Sequence, residues 1–147
     1  RRPVKVSIIG IDLAKNVFQV AALNRSGKPL MNRAVRRSRL LDVVRRFEPT
    51  TLAMEACGSA HYWGRVFRDM GHEVRLIPPQ HVKPFVRINK TDAGDALAIC
   101  EAAQRPKLQF VAIKSIHQQD LRLLIRQRER LVRLRTGTAN QIRGFAR

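Results

Sequence analysis

The chain of 147 residues carries 29 Lys and Arg against 11 Asp and Glu, a formal charge of +18 at pH 7. That length is one domain's worth with room for an appended element, and no apolar run is long enough for a bilayer-spanning helix, so no membrane segment is expected. A cationic surplus of this size points to a polyanionic partner, most often nucleic acid, while an aromatic content of 5 % makes backbone contact rather than base stacking the expected mode.

In chain order, Val6-Ser7-Ile8-Ile9-Gly10-Ile11-Asp12 reads as a strand buried on both faces that ends on a carboxylate. A second strand-like run, Val17 to Leu23, is followed by the turn residues Asn24-Arg25-Ser26-Gly27 and a third run, Pro29 to Val35. Short turns between three strands make an antiparallel meander. Ser38 can cap a helix through Phe47, which Pro49 stops. Thr51 to Glu55 is a short apolar strand that again ends on a carboxylate. Past Cys57-Gly58-Ser59, a helix carrying Tyr62, Trp63, Val66, Phe67 and Met70 closes at Gly71, and the spacing of Trp63, Phe67 and Met70 marks them as core. His72 to Ile77 is a fifth strand, ended by Pro78-Pro79. Meander, helix, strand, helix, strand is an α/β pattern, a mixed sheet with flanking helices.

Gln80 to Lys90 is a short basic amphipathic stretch, and Thr91-Asp92-Ala93-Gly94-Asp95 opens a helix that ends near Gln104. From Ser115 a long basic helix follows, with Leu121, Leu124, Ile125, Leu131, Val132 and Leu134 along one side, weakened late by Gly137 and Gly144. Such a helix needs a partner and can also track a phosphate backbone, although a solvated charged face explains the arginines equally well. The candidate phosphate contacts are Lys15, Lys83, Arg87 and Lys90, with Arg122, Arg126 and Arg133 on the long helix. The chain opens Arg1-Arg2-Pro3 without a Met and ends inside a helical pattern, so both ends read as cuts. Cys57 and Cys100 sit in apolar surroundings, and with no secretory signal a reducing, cytoplasmic setting is the default. Cys57 is expected as a small buried residue in a strand-helix turn, and no zinc spacing is met.

Asp12 and Glu55 end inner strands, while Asp92 and Asp95 lie three apart on one face of a helix's first turn. If the strands are neighbours and the helix packs over their ends, four carboxylates converge. Such a group needs divalent cations to stay ionised, and oxygen-only ligands suit Mg²⁺ or Mn²⁺, the ions of phosphoryl transfer. Singly, each acid also has an ordinary role: Asp12 as a turn residue, Glu55 as an exposed acid, and Asp92 and Asp95 as complements of a helix N-terminus.

Gly10-Ile11-Asp12-Leu13-Ala14-Lys15, then Met54-Glu55-Ala56-Cys57-Gly58, then Lys90-Thr91-Asp92-Ala93-Gly94-Asp95-Ala96 resemble the DEDD transposases, the Piv/MooV group of insertion-sequence recombinases. The resemblance covers nearly the whole chain. It implies an RNase H-like, RuvC-like catalytic domain over 1–113, with Asp12, Glu55, Asp92 and Asp95 as a metal-binding tetrad. It further implies, over 114–147, the start of an arginine-rich helical segment that mediates assembly into a dimer or tetramer, and a C-terminal serine-bearing domain absent from this chain. Partners implied are DNA and a structured guide (bridge) RNA, in a prokaryotic cytoplasm. Alternatives are a RuvC-type Holliday-junction resolvase or nuclease with water as nucleophile, and a non-catalytic nucleic-acid-binding module. An actin-like ATPase also opens with Gly-Ile-Asp, but Leu13-Ala14-Lys15 replaces the small residues that approach a phosphate there, and no second Gly-rich loop follows.

Overall fold

The computed structural model describes residues 5–85 and 91–146. Its strands are β1 (Val6–Asp12), β2 (Val17–Asn24), β3 (Pro29–Arg36), β4 (Thr51–Glu55) and β5 (Glu73–Ile77). They form one sheet in the order β3-β2-β1-β4-β5. The first three are the expected meander, β1 antiparallel to β2 and β2 to β3, and the β1–β4 and β4–β5 pairs are parallel. β1 is therefore central, with an antiparallel neighbour on one side and a parallel one on the other.

The helices are α1 (Leu40–Val44), α2 (Ala60–Asp69), α3 (Pro79–Val82), α4 (Asp92–Ala103) and α5 (Ile116–Phe145). The first is shorter than Ser38 to Phe47: a 3-10 turn over Arg37–Arg39 precedes it, with no side-chain cap. Pro78-Pro79 ends β5 as expected, and Pro79 also starts α3, where a missing N–H costs nothing. Gly71, at φ +90°, closes the α2 region.

Alternation along the strands separates two cores. On one face Ile9, Ile11, Phe18, Val20, Leu52 and Met54 pack with α1 and with Trp63 and Phe67 of α2. On the other, Ile8, Ala21, Ala53 and Ile77 pack with Val82 and the buried side of α4, which is Ala96, Ala98, Ile99, Cys100, Ala102 and Ala103. Trp63 and Phe67 are thus core, as their spacing requires, and Met70 is partly buried against them. Cys57 departs from expectation. It is exposed, because the turn linking β4 to α2 projects beyond the sheet's end, and its thiol lies 3.4 Å from the Ser59 hydroxyl.

The chain divides into two compact units, Arg1–Ile113 and Lys114–Arg147. The second is α5, capped at Ser115 by a reciprocal pair in which the Ser115 hydroxyl accepts from the Gln118 amide and the Gln118 side chain accepts from the Ser115 amide. It runs through Gly137 and Gly144 without a break; two glycines cost about 1 kcal/mol each against Ala, too little to stop a 30-residue helix. Among the described residues no helix is long and apolar enough to cross a membrane.

Candidate metal centre

Gly10 decides how closely α4 approaches the sheet. A Cβ at that position would stand 2.5 Å from Cys100 Sγ and 2.6 Å from the Ala96 carbonyl oxygen, so only a bare backbone lets the alanine-rich side of α4 seat directly on β1. Asp12 lies two residues further along the same strand and therefore projects to the same face. The first turn of α4, with Asp92 and Asp95, lies within one turn of Ala96. One close contact thus fixes the separation of carboxylates that are 80 or more residues apart in sequence.

The three acids do meet. One oxygen each from Asp12, Asp92 and Asp95 lies within 4.8 Å of the others. Asp12 and Asp95 are half-buried and Asp92 is exposed. Asp95 Oδ1 is shut off from solvent without a hydrogen-bond partner. A buried acceptor left unmatched costs on the order of 1–3 kcal/mol, more if charged, and a cation is the partner that offsets it best. Octahedral Mg²⁺ sets opposite oxygens about 4.2 Å apart and adjacent ones about 3 Å apart, so three oxygens within 4.8 Å of one another converge on one ion once their side chains close in. Hard oxygen donors without sulfur or imidazole select Mg²⁺ or Mn²⁺ over zinc.

Glu55 is not in that trio. The pairing of Ile11 with Met54 makes Glu55 the strand neighbour of Asp12, half-buried on the same face of the sheet. Its backbone is therefore in place, while its carboxylate stands outside the group of three.

Capping does not explain the α4 acids. The cap is Thr91, whose hydroxyl accepts from the Gly94 amide at 3.2 Å and whose carbonyl accepts from the Asp95 amide at 2.9 Å. Both carboxylates remain available for other work, at a helix end whose dipole favours anions.

Two further residues hold the site, and the sequence did not single them out. The Gln19 side-chain amide donates to Asn32 Oδ1 at 2.7 Å, and Asn32 Nδ2 donates to the Ala93 carbonyl at 3.0 Å. Gln19 pairs in register with Asp12. This polar chain ties β2 and β3 to the first turn of α4, beside the acids it carries. The available signal was alternation: Gln19 interrupts Phe18 and Val20 on the face opposite the aromatic core, a polar residue on an inner strand.

Of the candidate phosphate contacts, Lys15 is exposed in the loop just past Asp12, Lys83 is exposed in the turn after α3, and Arg122, Arg126 and Arg133 are exposed on α5. Arg87 and Lys90 lie outside the described residues.

Comparison with known proteins agrees with this architecture. Residues 9–146 match the family model described as Transposase for DEDD transposases of the IS110 type. Over 142 residues the chain is 50 % identical to a Pseudomonas aeruginosa protein described as a "probable family 20 transposase", covering 97 % of this chain and 42 % of that one. It is 45 % identical over 146 residues to the transposase for insertion sequence element IS1111A of Coxiella burnetii, covering 99 % of this chain and 40 % of the relative. The chain thus spans about two fifths of the length of the curated relatives it matches. Among solved structures it resembles Thermus thermophilus RuvC in complex with a Holliday junction substrate, at TM-score 0.56 and 17 % identity, over 71 % of this chain and 98 % of RuvC. A second Thermus thermophilus RuvC structure agrees at TM-score 0.55 and 18 % identity, covering 71 % and 99 %. The sheet with its flanking helices is RuvC-like, that is, RNase H-like, and the chain belongs to the IS110-type DEDD transposase family.

Proposed function

We propose that this chain is the metal-binding catalytic portion of an insertion-sequence transposase, in which Asp12, Asp92 and Asp95, joined by Glu55, hold Mg²⁺ or Mn²⁺. The observation that carries this reading is the meeting of three carboxylates around a buried, unpartnered Asp95 oxygen. A bound divalent ion supplies charge neutralisation and polarisation at a scissile phosphate. The chain's own groups do the rest. β1 fixes Asp12, the tether from Gln19 through Asn32 fixes the α4 acids, and Lys15 beside the site attracts the DNA backbone.

DNA is the expected substrate, consistent with the charge of +18 and with a structural neighbour described as bound to a Holliday junction. Following the family resemblance, the nucleophile is a serine of a C-terminal domain. Residues 114–147 begin the helical segment that assembles subunits, and a structured guide RNA selects the sites.

The test is Mn²⁺ titration by electron paramagnetic resonance and calorimetry, with an Asp12→Asn/Asp92→Asn variant alongside. Saturable Mn²⁺ binding at micromolar to millimolar supply that the variant loses is the expected result. No binding at millimolar Mn²⁺, with or without DNA, refutes the metal centre. Metal-dependent cutting of a branched duplex by this chain alone would identify water as nucleophile and favour a nuclease.

A further inference from the structure

A concavity not used by the metal centre lies on the opposite face of the sheet, at the same strand ends. It has a volume of about 620 Å³ and is lined by Asn16, Val17, Arg36, Arg37, Tyr62 and Trp63, among others. Its floor is aromatic. Tyr62, 49 % exposed, meets Trp63 edge-on with ring centroids 5.2 Å apart, and Trp63 stands edge-on to Phe18 at 5.7 Å. Arg37 lies over this floor, its guanidinium carbon 5.6 Å from the Trp63 ring and 5.9 Å from Phe18, and its amide donates to the Asn16 carbonyl at 2.8 Å. The rim is therefore pinned while Arg36, Arg37 and Tyr62 stay open to solvent.

Three features choose the occupant. Arg36 and Arg37 are both exposed, and neither forms a salt bridge among the described residues, so the rim favours an anion. Tyr62 offers a flat ring that is about half exposed and held edge-on by Trp63, a surface on which a nucleobase can stack. Finally, Trp63 Nε1 is buried without an acceptor. A second copy docking by this same face would bring its own Arg36 and Arg37 against this pair, and the like charges disfavour it.

We propose that this hollow binds one unpaired nucleotide of a DNA or RNA strand, its base on Tyr62 and its phosphate on Arg36 and Arg37. The proposal rests on the reading that the protein works on nucleic acid, but not on the metal centre. A strand crossing the loop that bears Lys15 would reach the hollow from the Asp12 side of the sheet. Composition had pointed to backbone contact alone, since rings are few; here the single Tyr of the chain is placed where one ring is sufficient.

The chain has one Trp and one Tyr, so Trp63 emission reports this site without labelling. The probes are octathymidylate, octauridylate and an abasic DNA octamer, titrated in EDTA at about 0.3 M salt, where counterion release weakens purely electrostatic binding. Base-bearing octamers are expected to quench Trp63 saturably and the abasic octamer to bind at least fivefold more weakly. Tyr62→Ala should raise the dissociation constant about five- to a hundredfold, Tyr62→Phe should stay within about twofold of the parent, and Arg36→Ala should reduce the logarithmic salt slope by about one. The tighter of the thymidylate and uridylate probes identifies the strand type, and equal affinity means that either is accepted. Parent-like affinity in Tyr62→Ala, or an abasic octamer that binds as well as octathymidylate, overturns the proposal. EDTA keeps the outcome separate from the metal test, because no divalent ion is present to contribute to binding.

Discussion

Gly10→Ala is the sharpest perturbation available, because it adds one methyl group where the backbone of α4 sits directly against β1. The new Cβ would lie 2.6 Å from the Ala96 carbonyl oxygen, and real Cβ contacts are essentially never under 3.0 Å and become ordinary only from 3.4 Å. Backbone cannot rotate away as a side chain can, so α4 must lift by about 0.4 to 0.8 Å. Overpacking of this kind costs about 1–3 kcal/mol. For a unit of this size, 1 kcal/mol corresponds to about 4 °C in Tm, which gives a loss of about 4 to 12 °C by calorimetry or circular dichroism. The same lift carries Asp92 and Asp95 away from Asp12, in a trio whose oxygens lie within 4.8 Å of one another. Mn²⁺ affinity should fall about tenfold or more, the scale seen when groups that orient metal ligands are altered. Cys100→Ala provides the control. It removes the thiol that a Cβ would also meet, at 2.5 Å, but leaves the Ala96 oxygen, so Gly10→Ala/Cys100→Ala should remain destabilised. A Gly10→Ala protein that melts within 1 °C of the parent and binds Mn²⁺ equally would refute the claim that this glycine sets the site's dimensions.

Other perturbations separate the parts. Asn32→Ala removes the donor to the Ala93 carbonyl; the expected loss is about 1 kcal/mol of stability and a weaker Mn²⁺ affinity by calorimetry, with Asn32→Gln recovering less than the parent because the tether is short. Thr91→Ala should cost about 1 kcal/mol through loss of the α4 cap, read as a lower Tm in metal-free buffer. Burial pushes the Cys100 thiol up from 9.0 to about 12. A proton held more tightly in the folded state stabilises the fold fully below pH 9, and that contribution is lost as pH rises from 9 towards 12. Denaturant midpoints should therefore fall over that window, by at most about 1.4 kcal/mol per pH unit from this group, and Cys100→Ala should flatten the slope. At pH 8 a thiol reagent should label exposed Cys57 quickly and leave Cys100 intact until the protein unfolds.

The elements that packing dictates were legible in the sequence, and those set by a single contact were not. Apolar runs ending at Asp12 and Glu55, and the turn at Ser26-Gly27, announce the meander and β4 because alternation and turn chemistry are local. Thr91 followed by Gly94 and Asp95 likewise announces where α4 starts. α1 came out shorter than its apolar spacing suggested: Leu40, Val43 and Val44 are buried on it, Phe47 reaches the same core from beyond its end, and the Ser38 hydroxyl does not cap the helix. The trio was inferable from order along the chain, but the separations depend on how close α4 can come, which only the Gly10 contact with Ala96 and Cys100 reveals. Asn32 was invisible for the same reason, since its partner is a carbonyl 61 residues away. Tyr62 was passed over because helical spacing assigns its neighbour Trp63 to the core; spacing cannot show that the adjacent ring stays half in solvent.

The central position of β1 has a dynamic consequence. Its amides and carbonyls are engaged by β2 on one side and β4 on the other, so it belongs to the part of the sheet expected to exchange hydrogen last, while edge strands β3 and β5 open first. Asp12 rides on that slow strand, whereas Asp92 and Asp95 ride on the first turn of a helix held to the sheet by side-chain packing, the Asn32 tether and, at its far end, the Arg75 guanidinium donating to the Ala103 carbonyl at 2.8 Å. The two halves of the site thus have different lifetimes. A cation shared between them would work as a clasp that slows the undocking of α4, and metal-dependent protection should then concentrate in the α4 amides rather than in those of β1.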